Sequence, residues 1–239
     1  MGVRYVDCSL NIVNSDSWVQ FPRKIVKGAP EPSIKIETIS TVKDHKCFVQ
    51  RLELTTQCFT HIDAPVHFFE DGISIDQVPL DQLINEAVVI DMMHKQPGEG
   101  VTAEDLEKSG ADVREGDTII IRTGWTDRAF GTRDFWAKMI YLHPSGADWI
   151  VSKKPRALMQ DYMTDIPPVL VCDHCGQLLP QKEYCPNHFK FLGKAGMILI
   201  EWCTNLGAIK KPRVKVIAMP LKIQGADGSP ARVVVVEED

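Results

Sequence analysis

Short apolar runs without alternation constrain this chain most. Val88-Val89-Ile90, Ile119-Ile120-Ile121 and Met197-Ile198-Leu199-Ile200 are each unbroken. A strand with one wet face alternates apolar and polar residues, so an unbroken run reads as a strand covered on both faces. Further β-rich runs span 33–40, 47–56, 87–92, 118–122, 195–201, 214–223 and 231–236. Short helices fit between them, at 80–86, 145–152 and 187–193. Thr102-Ala103-Glu104-Asp105 adds a helix N-cap followed by acidic first-turn residues. Strands alternating with short helices predict an α/β domain with a mixed sheet.

The 239 residues suit one domain, 1–239. Residues 167–187 interrupt the pattern with Pro167-Pro168, Cys172-X-X-Cys175 and few periodic apolar positions. That stretch reads as a Cys-containing inserted loop. Net charge is −5 with dispersed basic residues, which argues against a nucleic-acid or membrane partner. No run of about 18 apolar residues predicts a transmembrane helix. The N-terminus has no apolar signal region, so the expected location is cytoplasmic. Seven cysteines, an odd number, predict reduced thiols or a metal rather than a disulfide framework. Without a Gly-rich phosphate loop or a Gly-X-Ser-X-Gly elbow, nucleotide-binding and serine-hydrolase readings are disfavoured.

The chemistry concentrates in Thr60-His61-Ile62-Asp63-Ala64-Pro65-Val66-His67. In an extended strand, side chains alternate faces, so His61, Asp63 and His67 would share one face. Two imidazoles and a carboxylate converging from one strand make half of a transition-metal site. The competing reading is a strand that ends in a polar turn, with both histidines satisfied locally. Remote candidates for the other half are His188, at the start of a helix, and Glu201, at the end of an apolar strand. A carboxylate there is costly to bury unless it is paired or ligated.

These residues carry a family resemblance. The stretch Gln57-Cys58-Phe59-Thr60-His61-Ile62-Asp63-Ala64-Pro65-Val66-His67 resembles the signature His-X-Gly-Thr-His-X-Asp-X-Pro-X-His of the cyclase family of metal-dependent hydrolases, which includes bacterial kynurenine formamidase and isatin hydrolase. The resemblance continues through Phe68-Phe69-Glu70-Asp71-Gly72, Arg122-Thr123-Gly124-Trp125, 188–201 and Ala218-Met219-Pro220-Leu221-Lys222. It implies an α/β fold of the swivelling β/β/α type, a mixed sheet with short helices. It implies one or two divalent metals, zinc or manganese, and hydrolysis of a small amide, formamide or lactam. It also implies a homodimer or larger homo-oligomer whose partner chain helps close the pocket. By position, Gln57, His61, Asp63, His188 and Glu201 correspond to metal ligands, with Asp63 able to bridge two ions. His67 corresponds to the catalytic histidine that stays off the metal and moves protons.

Two positions depart from the signature. Gln57 stands where the first ligand histidine is expected, and Phe59 where a glycine is expected. Gln57 keeps the strand parity of His61 and offers an amide oxygen, a harder donor than imidazole. Three outcomes follow: Gln57 ligates, one metal is lost while Asp63, His188 and Glu201 hold the other, or the scaffold is a non-catalytic small-molecule or metal-binding protein.

Cys172-X-X-Cys175 with Cys185-X-X-His188 has the spacing of a structural zinc knuckle, a use that competes for His188. The alternative is free thiols in a loop, and the helix and strand after His188 favour its place with Asp63. Cys58 is expected to face the core. Trp125, Phe130, Phe135 and Trp136 are expected to fill it, and Asp227-Gly228-Ser229-Pro230 to form a turn.

Overall fold

The computed structural model describes residues 2–15, 34–166 and 181–238. The strands are β1 (Val3–Asp7), β2 (Lys35–Ser40), β3 (Val49–Glu53), β4 (His61–Asp63), β5 (Ile84–Asp91), β6 (Gly100–Val101), β7 (Thr118–Arg122), β8 (Tyr141–Leu142), β9 (Ala157–Gln160), β10 (Ile198–Glu201), β11 (Arg213–Pro220) and β12 (Gly228–Glu238).

Seven of them close into a β-barrel in the order β12-β11-β5-β7-β9-β10-β4, and β4 returns to β12. The strands β5, β7, β9 and β10 run parallel to one another, and every other pairing in this sheet is antiparallel. Closure depends on the length of β12. Its residues 228–230 pair with β4 and its residues 234–238 pair with β1 on the same edge. The result is a mixed α/β fold with short helices, as the sequence predicts. The barrel closure itself was not anticipated.

The unbroken apolar runs have the expected cause. Along β7, Ile120 joins a cluster with Ile62, Met159, Ile198, Ile200, Val216 and Val235, contributed by strands all round the ring. Ile119 and Ile121 point the other way, onto Leu106, Phe135, Ala147 and Ile150 in the helical layer. Both parities are therefore buried, one inside the barrel and one beneath the helices.

Two helices build much of that layer. In α1 (Ala103–Lys108), Thr102 and Asp105 cap each other: Thr102 N–H donates to Asp105 Oδ2 at 2.8 Å, and Asp105 N–H donates to Thr102 Oγ1 at 3.3 Å. The next, α2 (Pro144–Ser152), starts on a proline, whose fixed φ suits the first helical position.

Several boundaries differ from expectation. The helix expected over 80–86 is one turn, Leu80–Leu83, because Ile84 already pairs with Ile217 in the sheet. The helix expected over 187–193 opens as Pro186–His188 and widens into a π turn over Phe189–Lys194. The expected turn at Asp227–Pro230 is instead the start of β12, with Gly228 opposite Asp63 and Pro230 opposite His61. The strand β9 was missed because Ala-Leu-Met-Gln carries no β propensity of its own; pairing on both edges sets its conformation. Apart from the barrel, β2 and β3 pair with each other and, among the described residues, with no other strand. Of the inserted stretch expected at 167–187, residues 167–180 lie outside the described residues, and Cys172 and Cys175 with them.

Candidate metal centre

The site lies where β4 and β10 meet on the helical side of the barrel. Ile62 points into the barrel, so its neighbours His61 and Asp63 point outward. In the antiparallel register His61 faces Glu201, and cross-strand partners share a face. His188 reaches the same place from the short helix before the π turn.

Four side chains converge there. His61 Nε2 lies 3.5 Å from Asp63 Oδ1 and 3.7 Å from Glu201 Oε2. His188 Nε2 lies 3.5 Å from Asp63 Oδ2 and 3.6 Å from Glu201 Oε1. These separations are long for hydrogen bonds. Each gap lies near the roughly 3.4 Å between ligands about 2.0–2.1 Å from a zinc ion, and His61, Asp63 and Glu201 each have a ligand atom close enough to share one ion. Asp63 is 1% exposed, and neither of its oxygens has a hydrogen-bond partner. A buried carboxylate whose oxygens lack hydrogen bonds needs positive charge beside it, and a bound cation would supply that directly. The residues present therefore fit a divalent metal.

The surrounding contacts aim the ligand atoms. His61 Nδ1 pairs with the Phe59 carbonyl at 2.8 Å, which turns Nε2 toward the two carboxylates. His188 Nδ1 pairs with Asp165 Oδ2, and Asp165 Oδ1 accepts the Asn187 N–H at 2.8 Å. Carboxylate or carbonyl partners on the far nitrogen are the usual way a protein orients a metal-binding histidine. Glu201 Oε1 accepts from Thr164 Oγ1 and, at 3.1 Å, from Gln160 Nε2. The Phe68 ring stacks on His188 with centroids 4.8 Å apart, and Trp202 meets His61 edge-on at 5.2 Å.

The electrostatics follow from this crowding. Burial pushes the Asp63 pKa up, but the His67, His188 and His61 imidazoles outweigh it and hold it below the usual range. Burial and the Asp63 charge leave Glu201 raised. Burial works against a charge on His188, yet Asp165, Asp63 and Glu201 hold its pKa well above the ordinary value.

His67 arrives by a different route from the one expected. The extended segment ends at Asp63, and Pro65–His67 forms a 3-10 turn with Pro65 at its first position. Strand alternation therefore does not place His67, although its ring still comes within 6.3 Å of His188. Its Nδ1 lies 2.9 Å from Asp227 Oδ2. Burial disfavours its charged form, but Asp63 and Asp227 prevail and its pKa is raised. Gln57 also lies in a turn, so parity does not govern it either. Its Nε2 donates to Asp227 Oδ2 at 3.1 Å.

Phe59, at the position of the expected glycine, keeps a left-handed backbone with φ 53°. That conformation costs a non-glycine residue about 1–2 kcal/mol, and it stands two residues before His61, whose ring the Phe59 carbonyl holds. Cys58 is buried and donates to the Thr55 carbonyl, with its thiol pushed up to about 11 by burial, consistent with a core residue. Trp125 and Phe135 are buried in the outer core, as expected. Cys185 gathers with Asp165 and His188, but His188 turns its Nε2 to Asp63 and Glu201.

A family model described as putative cyclase matches residues 6–164. The chain belongs to the Cyclase family. Among members, it is 25% identical over 192 residues to cyclase-like protein 2 of Arabidopsis thaliana, covering 78% of this chain but only 64% of that protein's length. It is 27% identical over 187 residues to a kynurenine formamidase of Bacillus thuringiensis, covering 78% and 79% of the two chains. Isatin hydrolase A from Ralstonia solanacearum has the same fold, with a TM-score of 0.79 at 22% identity over 99% of this chain and 92% of that one.

Within this Cyclase-family fold, sequence reasoning missed four residues of the site. Thr164 and Asp165 stood beside a stretch read as an insertion, and Gln160 sat on the unrecognised β9. Asp227 lies where the sequence predicts a turn. The one available signal was its place before Gly228, the glycine that the Asp63 strand packs against: a Cβ at Gly228 would fall 2.6 Å from the Ile62 carbonyl oxygen.

Proposed function

We propose that this chain is a metal-dependent hydrolase that opens the C–N bond of a small amide, formamide or lactam. The observation that carries the reading is Asp63, buried with both oxygens unpartnered and faced by two imidazole nitrogens. Its kinship with kynurenine formamidases gives the formamide and lactam class its support.

His61, Asp63, His188 and Glu201 would hold the ion, with imidazole favouring zinc and the two carboxylates also admitting manganese. A divalent cation there supplies Lewis acidity, activating water near neutral pH and polarising a carbonyl. The remaining work falls to the protein. His67 uses Nδ1 to bind Asp227, which leaves Nε2 to accept a proton from the attacking water and return it to the leaving nitrogen. Trp202 and Phe68 wall the ligand imidazoles with apolar surface and restrict water around them. The same reading extends to a homo-oligomer. The exposed apolar residues Phe48, Val49 and Leu52 on and beside β3 are where a second copy is expected to pack.

The test is the zinc or manganese content of purified protein, followed by hydrolysis of N-formylkynurenine, isatin and simple lactams with and without chelator. The proposal expects chelator-sensitive turnover of at least one compound class. A protein that binds neither ion, and stays inactive when each is added back, overturns it. Sedimentation equilibrium tests the assembly separately, and a monomer at micromolar concentration removes the second copy from the account.

A further inference from the structure

We propose that Gln57 serves the proton-carrying histidine rather than the metal, by bracing the Asp227 carboxylate that orients His67. The inference rests on the hydrolase reading for the purpose of His67, but its geometry is independent of it. Three side chains converge on Asp227. Its Oδ1 accepts from Thr56 Oγ1 at 2.7 Å. Its Oδ2 is shared by Gln57 Nε2 at 3.1 Å and His67 Nδ1 at 2.9 Å. Three donors on two oxygens leave the carboxylate little freedom to turn, and this fixes the edge it presents to the imidazole.

Gly228 makes the arrangement possible. A Cβ at that position would stand 2.5 Å from Gln57 Nε2, so the missing side chain is the space the amide occupies. Gly228 also lies opposite Asp63 in the β4–β12 register. The amide thus sits next to the metal quartet while its donor nitrogen points at Asp227. The two imidazoles and two carboxylates meanwhile face one another at 3.5–3.7 Å without it.

The chemistry suits the substitution. A primary amide is a weak metal donor but a good hydrogen-bond donor to a carboxylate. Bracing Asp227 holds His67 as the Nδ1–H tautomer and keeps the Nε2 lone pair toward the substrate. A carboxylate behind an imidazole does the same for other histidine bases. Gln57 and Asp227 are then positioning residues, and His67 is the group that touches the reacting atoms.

Two measurements that need no substrate test this. The first is histidine 15N–1H correlation on the zinc-loaded protein, with His67 assigned by His67→Gln. Wild type should show the Nδ1–H tautomer, and Gln57→Leu and Asp227→Asn should each shift His67 toward the Nε2–H form. The second is titration with cobalt(II), whose visible bands report ligand number. Gln57→Leu should keep the wild-type bands, with affinity within about twofold. Gln57→Met, closer in shape, replaces the leucine variant if that one does not fold. A cobalt affinity lowered about tenfold or more in the Gln57 variant makes Gln57 a ligand and overturns the proposal. A His67 tautomer unmoved in the Gln57 variant overturns it as well. Failure of the hydrolase reading would show separately, as wild-type protein that loads metal and turns over nothing.

Discussion

Two triplets on the same closed sheet are equally buried and behave oppositely. Ile119, Ile120 and Ile121 on β7 are 0% exposed; His61, Ile62 and Asp63 on β4 are at most 2% exposed. In each, the middle isoleucine fills the barrel and the flanking residues face outward. On β7 the outward residues meet Leu106, Ala147 and Ile150, and burial alone stabilises them. On β4 they meet Glu201 and His188, and burial works against them until something neutralises the carboxylates. One backbone plan therefore builds both a core and a candidate metal centre. The difference lies in which partners the outward faces meet, not in how deeply they are buried.

Four experiments break or sharpen this contrast. The largest effect is expected from Asp63→Asn, which should abolish tight zinc binding, a loss of about 10³-fold or more and thus over about 4 kcal/mol. The same change should lower the melting temperature of the metal-free protein, since the imidazoles facing Asp63 lose the carboxylate that offsets them. Calorimetry with and without zinc reads both effects; a variant that zinc stabilises as much as wild type would remove Asp63 from the site. Ile120→Ala should cost about 2–5 kcal/mol in urea unfolding and leave zinc stoichiometry unchanged.

Asp165→Asn probes the contact behind His188. Zinc affinity should fall about 10–100-fold while stability changes little, as measured by competition with a chelating dye. Unchanged affinity would show that His188 needs no carboxylate to aim it. The smallest effect is expected at Cys58, buried beside the site with its thiol pushed up to about 11. Native labelling should modify exposed Cys47 and spare Cys58. Prompt modification of Cys58 would mean that the turn before β4 opens readily.

The sequence made the apolar half of this contrast easy to read. Unbroken runs such as Ile119–Ile121 announce two-sided burial, and the strands at 118–122 and 195–201 appear close to where expected. Barrel closure was hidden because it depends on β12 serving two neighbours along one edge, and no local pattern encodes that. At the site, His61, Asp63, His188 and Glu201 stood out as costly residues at strand and helix ends, and the structure brings all four together. What stayed hidden were the groups that aim them. Asp165 and Asp227 come from segments 102 and 164 residues beyond Asp63, in ordinary local contexts, and only the fold makes them neighbours of a histidine. Pro65 misled for a physical reason. A proline at the end of a strand and a proline at the first position of a 3-10 turn have the same φ, so strand alternation does not account for the approach of His67 to His188.

The account stands or falls on whether the β4–β10 corner takes the ion. X-ray absorption at the zinc edge of protein loaded with one equivalent tests this directly. The quartet predicts only nitrogen and oxygen neighbours at about 2.0–2.1 Å, with two imidazoles in the scattering pattern. Sulfur neighbours at about 2.3 Å would place the ion on the cysteines instead and contradict the assignment of His61, Asp63, His188 and Glu201.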